Sequence, residues 1–438
     1  MATSPPIPPI ERNSYYFSQF PLYCSDWTTS NDIECVALST YKEGSINKLQ
    51  VVHGITYESD YKLNQTGQTY SYDDDIVEGY YFNQVAEASV DYPITHLQWD
   101  PLLGRSHEQR VAASSEVLRL YKVDYDPMDQ DYSLVQTHLL ANNTASNSTT
   151  STNGNGTHKD DLNTYPPVTS FDWNHTDPNI LITSSVDTTC TVWDLHRSIK
   201  IEDGITTSAT NTATVKTQLI AHDSEVFDVK FIHDSTNIFA SVGNDGSMRV
   251  FDLRSLEHST IIYEPALTPP LSANASTTMA AMNSKALLKL STSNTDQHHL
   301  ATVGINSNQV IIIDMRMPGL PVATLDGSLG GINHAAINSI KWHPTSNYLL
   351  TGGDDCQALI WDCTNLHQRF PSAGPTTTTG PTTTNSSTAN STADSGVIIE
   401  TPSFAYEEDL EVNNVCWRGD KGDWLGVVSG KGFQGVQL

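Results

Sequence analysis

The chain has 438 residues, and its 50 acidic and 23 basic side chains give a formal net charge of −27. This charge opposes direct binding to nucleic-acid phosphates and to anionic membranes, and no apolar run reaches the roughly 18 residues that cross a bilayer. We therefore expect protein partners, with basic proteins favoured, although the charge could also serve only to keep the protein soluble and monomeric. The six cysteines show no CxxC spacing, which predicts reduced thiols and a cytoplasmic and nuclear location.

In chain order, the sequence offers a short strand within Asn13–Phe20 and then a strand motif that returns at intervals. Each copy alternates polar and apolar residues and ends in an aromatic side chain, as a half-buried β-strand does. The interval between Phe231 and Trp342 is about twice a normal repeat, and Leu287–Thr292 fills it with Thr at the aromatic position. Seven copies are therefore predicted, six of which end at Trp27, Trp99, Trp173, Phe231, Trp342 and Trp417.

A second motif marks the third strand of a repeat. An acidic turn residue precedes an alternating strand and an aromatic–Asp pair in the frames 187–194, 245–252 and 355–362. This arrangement is typical of the third strand of a WD40 propeller blade. The predicted fold is all-β, a seven-bladed WD40 β-propeller with disordered Ser/Thr/Asn-rich loop insertions.

Four segments predict the insertions, because they lack the large apolar side chains that would offset the entropy of ordering them. The predicted boundaries are 1–12 for a disordered N-terminus and 13–438 for the propeller, with inserts at about 141–163, 204–214, 266–284 and 371–396. A strand within Asn13–Phe20 is expected to pair with the last blade and close the ring. If Val436–Leu438 form a poor strand, amide exchange in the last blade should be much faster than in the fourth.

Polar residues also recur at fixed positions of the repeats. Because buried polar groups need partners, we interpret them as a structural hydrogen-bond network. One set has the residue types of a catalytic triad, but the Ser/Thr–Asp spacing recurs in repeats without the histidine, so we predict that the protein is not an enzyme. The network residues are His222, Ser241 and Asp245 in the fourth repeat, Thr183, Asp187 and Trp193 in the third, and Thr351, Asp355 and Trp361 in the sixth.

We predict neither a cofactor nor a metal ion. The string Gly430–Phe433 lacks the glycine spacing and the Ser or Thr of a phosphate loop. His298 and His299 are adjacent, so as strand neighbours they would point to opposite faces and could not chelate one metal ion.

Beyond the repeat, the sequence resembles one WD40 family in particular. Pro167–Asp194 is similar to the third blade of the plant transparent-testa-glabra and anthocyanin-regulator proteins. It is equally similar to their animal counterpart, a cullin-four-associated WD40 scaffold of dual-specificity tyrosine-regulated kinases. The resemblance continues at 216–226, 251–264, 354–362 and 411–417, and so covers most of the chain outside the inserts.

The resemblance implies a non-catalytic adaptor. Plant members assemble bHLH and MYB transcription factors, and animal members hold kinases to substrates and can act as substrate receptors of a cullin-RING ubiquitin ligase. For the ligase role, the Arg of a Trp-Asp-x-Arg tetrad docks on an acidic surface of a ligase adaptor. Arg254 and Arg316 follow Asp at that position, each with a substituted aromatic, so docking residues and plain strand-end residues are both open interpretations. A chromatin- or histone-binding propeller is a further alternative.

Overall fold

The computed structural model describes residues 14–30, 33–43, 46–56, 79–101, 109–142, 165–201, 210–256, 258–264, 286–328, 331–332, 334–366, 396–419 and 421–438. The chain divides into two compact units. Unit 1 contains the residues up to Val168, Asp194–Thr214 and Glu408–Leu438, and unit 2 contains Thr169–Trp193 and Val215–Glu407. The described ranges contain strands and no helix, and hence no helix that could span a membrane.

The strands form groups of four antiparallel strands, here called blades. Blade 1 consists of β2 (Leu22–Ser30), β3 (Ile33–Thr40), β4 (Asn47–Thr56) and β5 (Tyr80–Val90). Blade 2 consists of β6 (His96–Trp99), β7 (Gln109–Ser114), β8 (Leu118–Asp126) and β9 (Asp131–Leu140). Blade 7 consists of β27 (Val412–Trp417), β28 (Trp424–Ser429), β29 (Gly432–Gln437) and β1 (Tyr15–Phe17). These three blades lie in unit 1.

Blade 3 contains β10 (Val168–Trp173), β11 (Ile180–Ser185), β12 (Thr189–Ile201) and β13 (Thr210–Ile220), which belong partly to each unit. Unit 2 holds blade 4, with β14 (Val226–Phe231), β15 (Ile238–Gly243), β16 (Met248–Asp252) and β17 (Thr260–Tyr263). It also holds blade 5, with β18 (Leu287–Thr292), β19 (His299–Gly304), β20 (Val310–Asp314) and β21 (Pro321–Leu325). Blade 6 contains β22 (Ile337–Trp342), β23 (Tyr348–Gly353), β24 (Gln357–Asp362) and β26 (Phe404–Glu407), and β25 (Val397–Ile399) runs parallel to β21.

This strand order confirms the predicted all-β, WD40 propeller fold class. Among the described residues, seven blades follow one another in the order that the first-strand motif predicts, including the fifth, where Thr292 replaces the aromatic residue, and the strands of blades 2 and 3 form one eight-stranded sheet. In each described blade, apolar side chains of the strands pack into buried clusters, as strand alternation requires. All six cysteines are free thiols, and five of them are buried.

The predicted inserts lie mostly outside the described residues, as does the segment 1–12. One boundary is wrong, because residues 210–214 of the predicted insert 204–214 belong to β13. Thr212, Thr214 and Val215 are β-branched and favour an extended strand, and Ala213 is buried. A Thr-rich composition therefore does not by itself distinguish a loop from a strand.

The two ends of the described chain pair in blade 7. β1 lies antiparallel to β29, with Tyr15 opposite Gln434 and Phe17 opposite Gly432. This pairing confirms that a strand from Asn13–Phe20 joins the last blade. The prediction that the last residues form a poor strand is wrong, because β29 pairs with β28 along its whole length. A Cβ atom at Gly435 would lie 3.2 Å from the Trp27 ring, so the glycine makes room for a buried indole.

Candidate functional site

The polar network of blade 4 connects side chains from three separate parts of the blade. His222 lies before β14, Ser241 on β15, and Asp245 in the turn between β15 and β16. The Asp245 carboxylate accepts from Nδ1 of His222 at 3.0 Å, and Nε2 of His222 lies 2.7 Å from the Ser241 hydroxyl. Burial alone would raise the pKa of Asp245, but hydrogen bonds from His222 and from the N–H and hydroxyl of Ser247 lower it well below its usual range. The ionised carboxylate therefore fixes the turn.

This network has the connectivity of a catalytic triad but not its accessibility. Ser241 exposes 0% and His222 1% of their surface. A substrate carbonyl cannot reach the Ser241 oxygen while the blade is folded, and a nucleophile must be within contact distance of its target. The three residues thus form a buried structural network in this conformation.

In blades 3 and 6, a tryptophan bonds the hydroxyl of the second strand that His222 bonds in blade 4. Nε1 of Trp193 donates to the Thr183 hydroxyl at 3.0 Å, and Nε1 of Trp361 donates to that of Thr351 at 3.0 Å. In blade 4 the residue that corresponds to these tryptophans is Phe251, which has no N–H to donate. In blade 4, His222 bonds the second-strand hydroxyl in place of the indole, whereas in blade 5 the Thr302 hydroxyl donates to the backbone carbonyl of Lys289 at 2.8 Å.

The turn aspartates of blades 3 and 6 differ in how fully they are bonded. Asp187 accepts the N–H and the hydroxyl of Thr189. Asp355 accepts the N–H of Gln357 at 3.3 Å, but its Oδ2 is buried and no donor among the described residues reaches it. Burial therefore raises the pKa of Asp355. His334 is exposed and does not take the role that His222 has in blade 4.

The two candidate docking arginines have one shared geometry. Nε of Arg254 lies 2.9 and 3.1 Å from the two carboxylate oxygens of Asp252, and its Nη2 lies 2.6 Å from Oδ2. Arg316 makes the same three contacts with Asp314, at the same distances. The guanidinium groups stay exposed, with 66% of the Arg254 side chain and 50% of the Arg316 side chain accessible to solvent.

A turn at the end of the third strand produces this geometry. Asp252 and Asp314 each accept the N–H of the residue two positions later at 2.9 Å, as do Asp194 and Asp362 in blades 3 and 6. The residue two positions after the aspartate is Arg in blades 4 and 5, but it is His196 in blade 3 and Thr364 in blade 6. The arginine lowers the pKa of Asp252 to about 2, and Arg316 lowers that of Asp314 against the effect of burial.

Polar groups that join neighbouring blades were not predicted from the sequence. A carboxylate or hydroxyl on the first strand of one blade accepts a backbone N–H from the first strand of the next. A repeated Asp one residue before the aromatic, as in Ser-Asp-Trp27 and Phe-Asp-Trp173, is a signal that could have identified two of them. The pairs are Asp26 with Trp99 at 2.7 Å, Asp172 with Phe231 at 2.8 Å, Asp228 with Leu290 at 2.9 Å and Ser291 with Trp342 at 2.9 Å.

The expectation that the rings of His298 and His299 point to opposite faces was wrong. Their Nδ1 atoms lie 2.9 and 3.4 Å from the two oxygens of Asp296, so both rings face one carboxylate. His298 precedes β19 and is not a strand residue, which is why strand alternation does not separate the two rings. In the described part of the chain, no group of three or more His, Cys, Asp or Glu side chains has an arrangement that could hold a metal ion.

Comparison with known proteins places the chain among WD-repeat sequences. Residues 158–194, 213–252 and 319–362 match the WD domain, G-beta repeat family. The chain is 38% identical to a WD repeat-containing protein of Saccharomyces cerevisiae, over 97% of this chain and 76% of that protein. It is 36% identical to a WD repeat-containing protein of Schizosaccharomyces pombe, over 80% of this chain and 75% of that protein. It is 33% identical to the DDB1- and CUL4-associated factor 7 homolog of Dictyostelium discoideum, over 77% of each chain.

Proposed function

The chain belongs to the WD40 repeat family, and on that premise we propose that it is a non-catalytic scaffold that holds a kinase, transcription factors or both to their partners. One observation carries the proposal. Arg254 and Arg316, at equivalent positions of neighbouring blades, are held in one exposed geometry, which presents charge to a partner. We propose a dual-specificity tyrosine-regulated kinase or bHLH/MYB factors as partners, and a cytoplasmic and nuclear location.

The arginine geometry favours binding for a physical reason. An exposed arginine normally loses side-chain entropy when a partner fixes it. Here Asp252 and Asp314 already hold the Nε and Nη2 atoms. The Nη1 atoms have no contact with these aspartates and can donate to a partner carboxylate.

A second candidate function is that of substrate receptor in a cullin-RING ubiquitin ligase. The same Asp-x-Arg positions support it, and so does the similarity to a protein named as DDB1- and CUL4-associated. The two roles are compatible, since a scaffold can present its cargo to a ligase.

Affinity purification of the tagged full-length protein from its own cells tests both roles. We would compare the wild type with Arg254→Ala/Arg316→Ala, and with Arg197→Ala/Lys421→Ala, which makes the same change in charge at exposed positions elsewhere. A kinase or bHLH factor recovered with the wild type and the Arg197→Ala/Lys421→Ala control, and lost from the arginine variant, supports the scaffold. Cullin-ligase subunits lost only from the first variant support the ligase role. Histones recovered in place of both classes would contradict the proposal.

A further inference from the structure

We infer that the crevice between blades 1 and 2 binds a lysine side chain from a basic segment of a partner protein. Its residues, which we call the blade 1–2 crevice, are Ile55 and Tyr81 of blade 1, Tyr125 and Tyr132 of blade 2, and His53 at the floor. All five lie in unit 1. The inference rests on the proposed scaffold function and adds a second site to it, because the two arginines considered above lie in unit 2 and a scaffold must hold two proteins at once.

Strand pairing places these side chains on the facing sides of the two blades. Ile55 is opposite Tyr81 on β4 and β5, and it lies two residues beyond His53, on the same face of the strand. Tyr125 is opposite Tyr132 on β8 and β9, and their ring centroids lie 4.8 Å apart. The ring of Tyr132 in turn lies 5.0 Å from that of His53, so ring side chains of both blades meet at the crevice.

The walls of the crevice are the exposed end of a shared core. Tyr132 packs against the buried cluster that blades 1 and 2 form together, with Val51 and Val123 among its members. Tyr81, by contrast, is 56% exposed, Tyr125 47% and Ile55 46%. One exposed apolar side chain is ordinary, but three at the end of one core cluster are a local concentration.

The floor of the crevice has hydrogen-bonding capacity that the described residues leave unused. His53 is only 6% exposed, and its Nε2 has no hydrogen-bond partner among those residues. The same holds for Oε1 of Gln109, whose Nε2 lies 3.7 Å from Sγ of Cys35, the residue paired with His53 on β3. Burial lowers the pKa of His53, so the ring is neutral at pH 7 and one of its nitrogens can accept a hydrogen bond. A donor that enters the crevice would remove the cost of leaving these buried atoms unpaired.

Carboxylates lie at the outer end of the crevice. Asp124, Asp126, Asp129 and Asp131 are exposed residues of the β8–β9 hairpin, which also carries both tyrosines of blade 2. One cation lies beside them, since Nζ of Lys122 is 3.7 Å from Asp124. This hairpin therefore attracts a positive group, in keeping with the net charge of −27 of the whole chain.

These features together select a lysine side chain. Its four-carbon stem would pack against Ile55 and Tyr81, and its ammonium group would lie over the Tyr125 ring, because aromatic faces attract cations. The ammonium group has three hydrogen atoms to donate, which suits separate acceptors such as the Gln109 carbonyl oxygen and a carboxylate of the hairpin. The planar fork of an arginine suits the two oxygens of one carboxylate instead, and an apolar side chain would leave the floor atoms unpaired.

Affinity purification with quantitative mass spectrometry tests the crevice in the full-length protein from its own cells. The variants are Tyr81→Ser/Tyr125→Ser, which removes two rings, and Tyr81→Phe/Tyr125→Phe, which keeps them. A control, Tyr41→Ser/Tyr92→Ser, removes two other tyrosines that are 47% and 43% exposed. In parallel, p-benzoylphenylalanine placed at position 81, or at position 41 for comparison, crosslinks the partner segment that touches it.

We expect Tyr81→Ser/Tyr125→Ser to recover one partner protein about tenfold less than the wild type does, whereas the phenylalanine variant and the control retain it. Crosslinking at position 81 should identify, in that same protein, a basic segment that contains a lysine. Replacing this lysine by methionine should remove the crosslink, and position 41 should not crosslink the segment.

Three results would overturn the inference and leave the scaffold function standing. The first is equal recovery with the serine variant and the control, and the second is a loss that the phenylalanine variant shares. The third is the absence of a crosslink at position 81, or a crosslinked segment that is acidic or lacks lysine. If the wild type recovers no specific protein at all, both the scaffold function and the inference are wrong.

Discussion

Asp245 and Asp355 occupy the same repeat position but have different surroundings. Asp245 receives hydrogen bonds from His222, from Ser247 and from Nη2 of Arg249, the last at 3.0 Å. Asp355 has one carboxylate oxygen that is buried without a donor from the described residues, and the nearby Asp354 carboxylate raises its pKa further. Sequence alone could not show this difference, because it depends on whether a histidine from a separate loop reaches the turn.

Replacing the two aspartates by asparagine should therefore have effects of opposite sign. At pH 7, Asp245→Asn should lower the free energy of unfolding by about 1–3 kcal/mol, because charge-assisted hydrogen bonds are lost. Asp355→Asn should raise it by up to about 1 kcal/mol, because it removes a poorly bonded buried charge. Urea titration of both variants beside the wild type measures this, and a loss of stability in Asp355→Asn as large as that in Asp245→Asn would contradict it.

The pH dependence follows from the directions of the two pKa shifts. Folding lowers the pKa of Asp245, so its stabilisation is complete above the unfolded pKa of about 4 and is lost as the pH falls through the folded value. Folding raises the pKa of Asp355, so its contribution is most favourable below about pH 4 and declines as the pH rises through the folded value. The difference between each variant and the wild type should therefore shrink on acidification.

At the scale of elements, the turn between the second and third strands requires one unusual backbone conformation. The residue after the turn aspartate has a positive φ in three blades, at Thr188 with 73°, Gly246 with 77° and Cys356 with 64°. A β-branched residue is strained there. We expect Thr188→Gly to raise the free energy of unfolding by about 0.5–1 kcal/mol and Gly246→Thr to lower it by about 1–2 kcal/mol. If urea titrations showed that both substitutions change the free energy of unfolding equally and in the same direction, the strain argument would be contradicted.

The last blade shows how glycines can serve close packing within paired strands. Gly426 and Gly435 lie where a Cβ atom would press on Phe433 and Trp27, so they allow close packing and do not weaken the strand. β29 is paired on both sides, by β28 and β1. Its amide protons should therefore exchange about as slowly as those of β16, which hydrogen–deuterium exchange would measure. Much faster exchange in β29 would restore the original expectation of a poor strand.

An ion pair inside unit 1 joins blade 7 to blade 1. Nη2 of Arg418 lies 2.8 Å from Oε1 of the buried Glu34, whose Oε2 accepts from Nε1 of Trp27 at 2.8 Å. Arg418→Met would leave Glu34 buried without its cation, and should lower the free energy of unfolding by about 3–5 kcal/mol. Adding Glu34→Gln should recover part of that loss, since the uncompensated charge is gone. A double-mutant cycle tests the coupling, and additive effects would disprove it.

How much of the fold could be predicted depended on the kind of signal. The repeats identified blades 3, 4 and 6 twice, through both strand motifs, because Trp193, Phe251 and Trp361 each precede an aspartate. Blades 1 and 2 lack that pair and were found only through Trp27 and Trp99. The contacts between blades were missed, since a lone aspartate on a strand does not reveal which N–H it will meet.

For the whole molecule, the net charge of −27 and the two exposed guanidinium groups of Arg254 and Arg316 act at different distances. An acidic partner is repelled by the whole chain at long range but attracted by Arg254 and Arg316 at contact. Salt screens the first effect more than the second, because the Debye length is about 10 Å at 0.1 M ionic strength. The association rate constant of the partner should therefore rise, by about two- to fivefold, between about 20 and about 150 mM NaCl. Stopped-flow mixing with the purified partner measures it, with Arg254→Ala/Arg316→Ala as the control that should dissociate faster. An association rate that falls with salt would mean that the partner is basic, and that the whole-molecule charge, not the two arginines, recruits it.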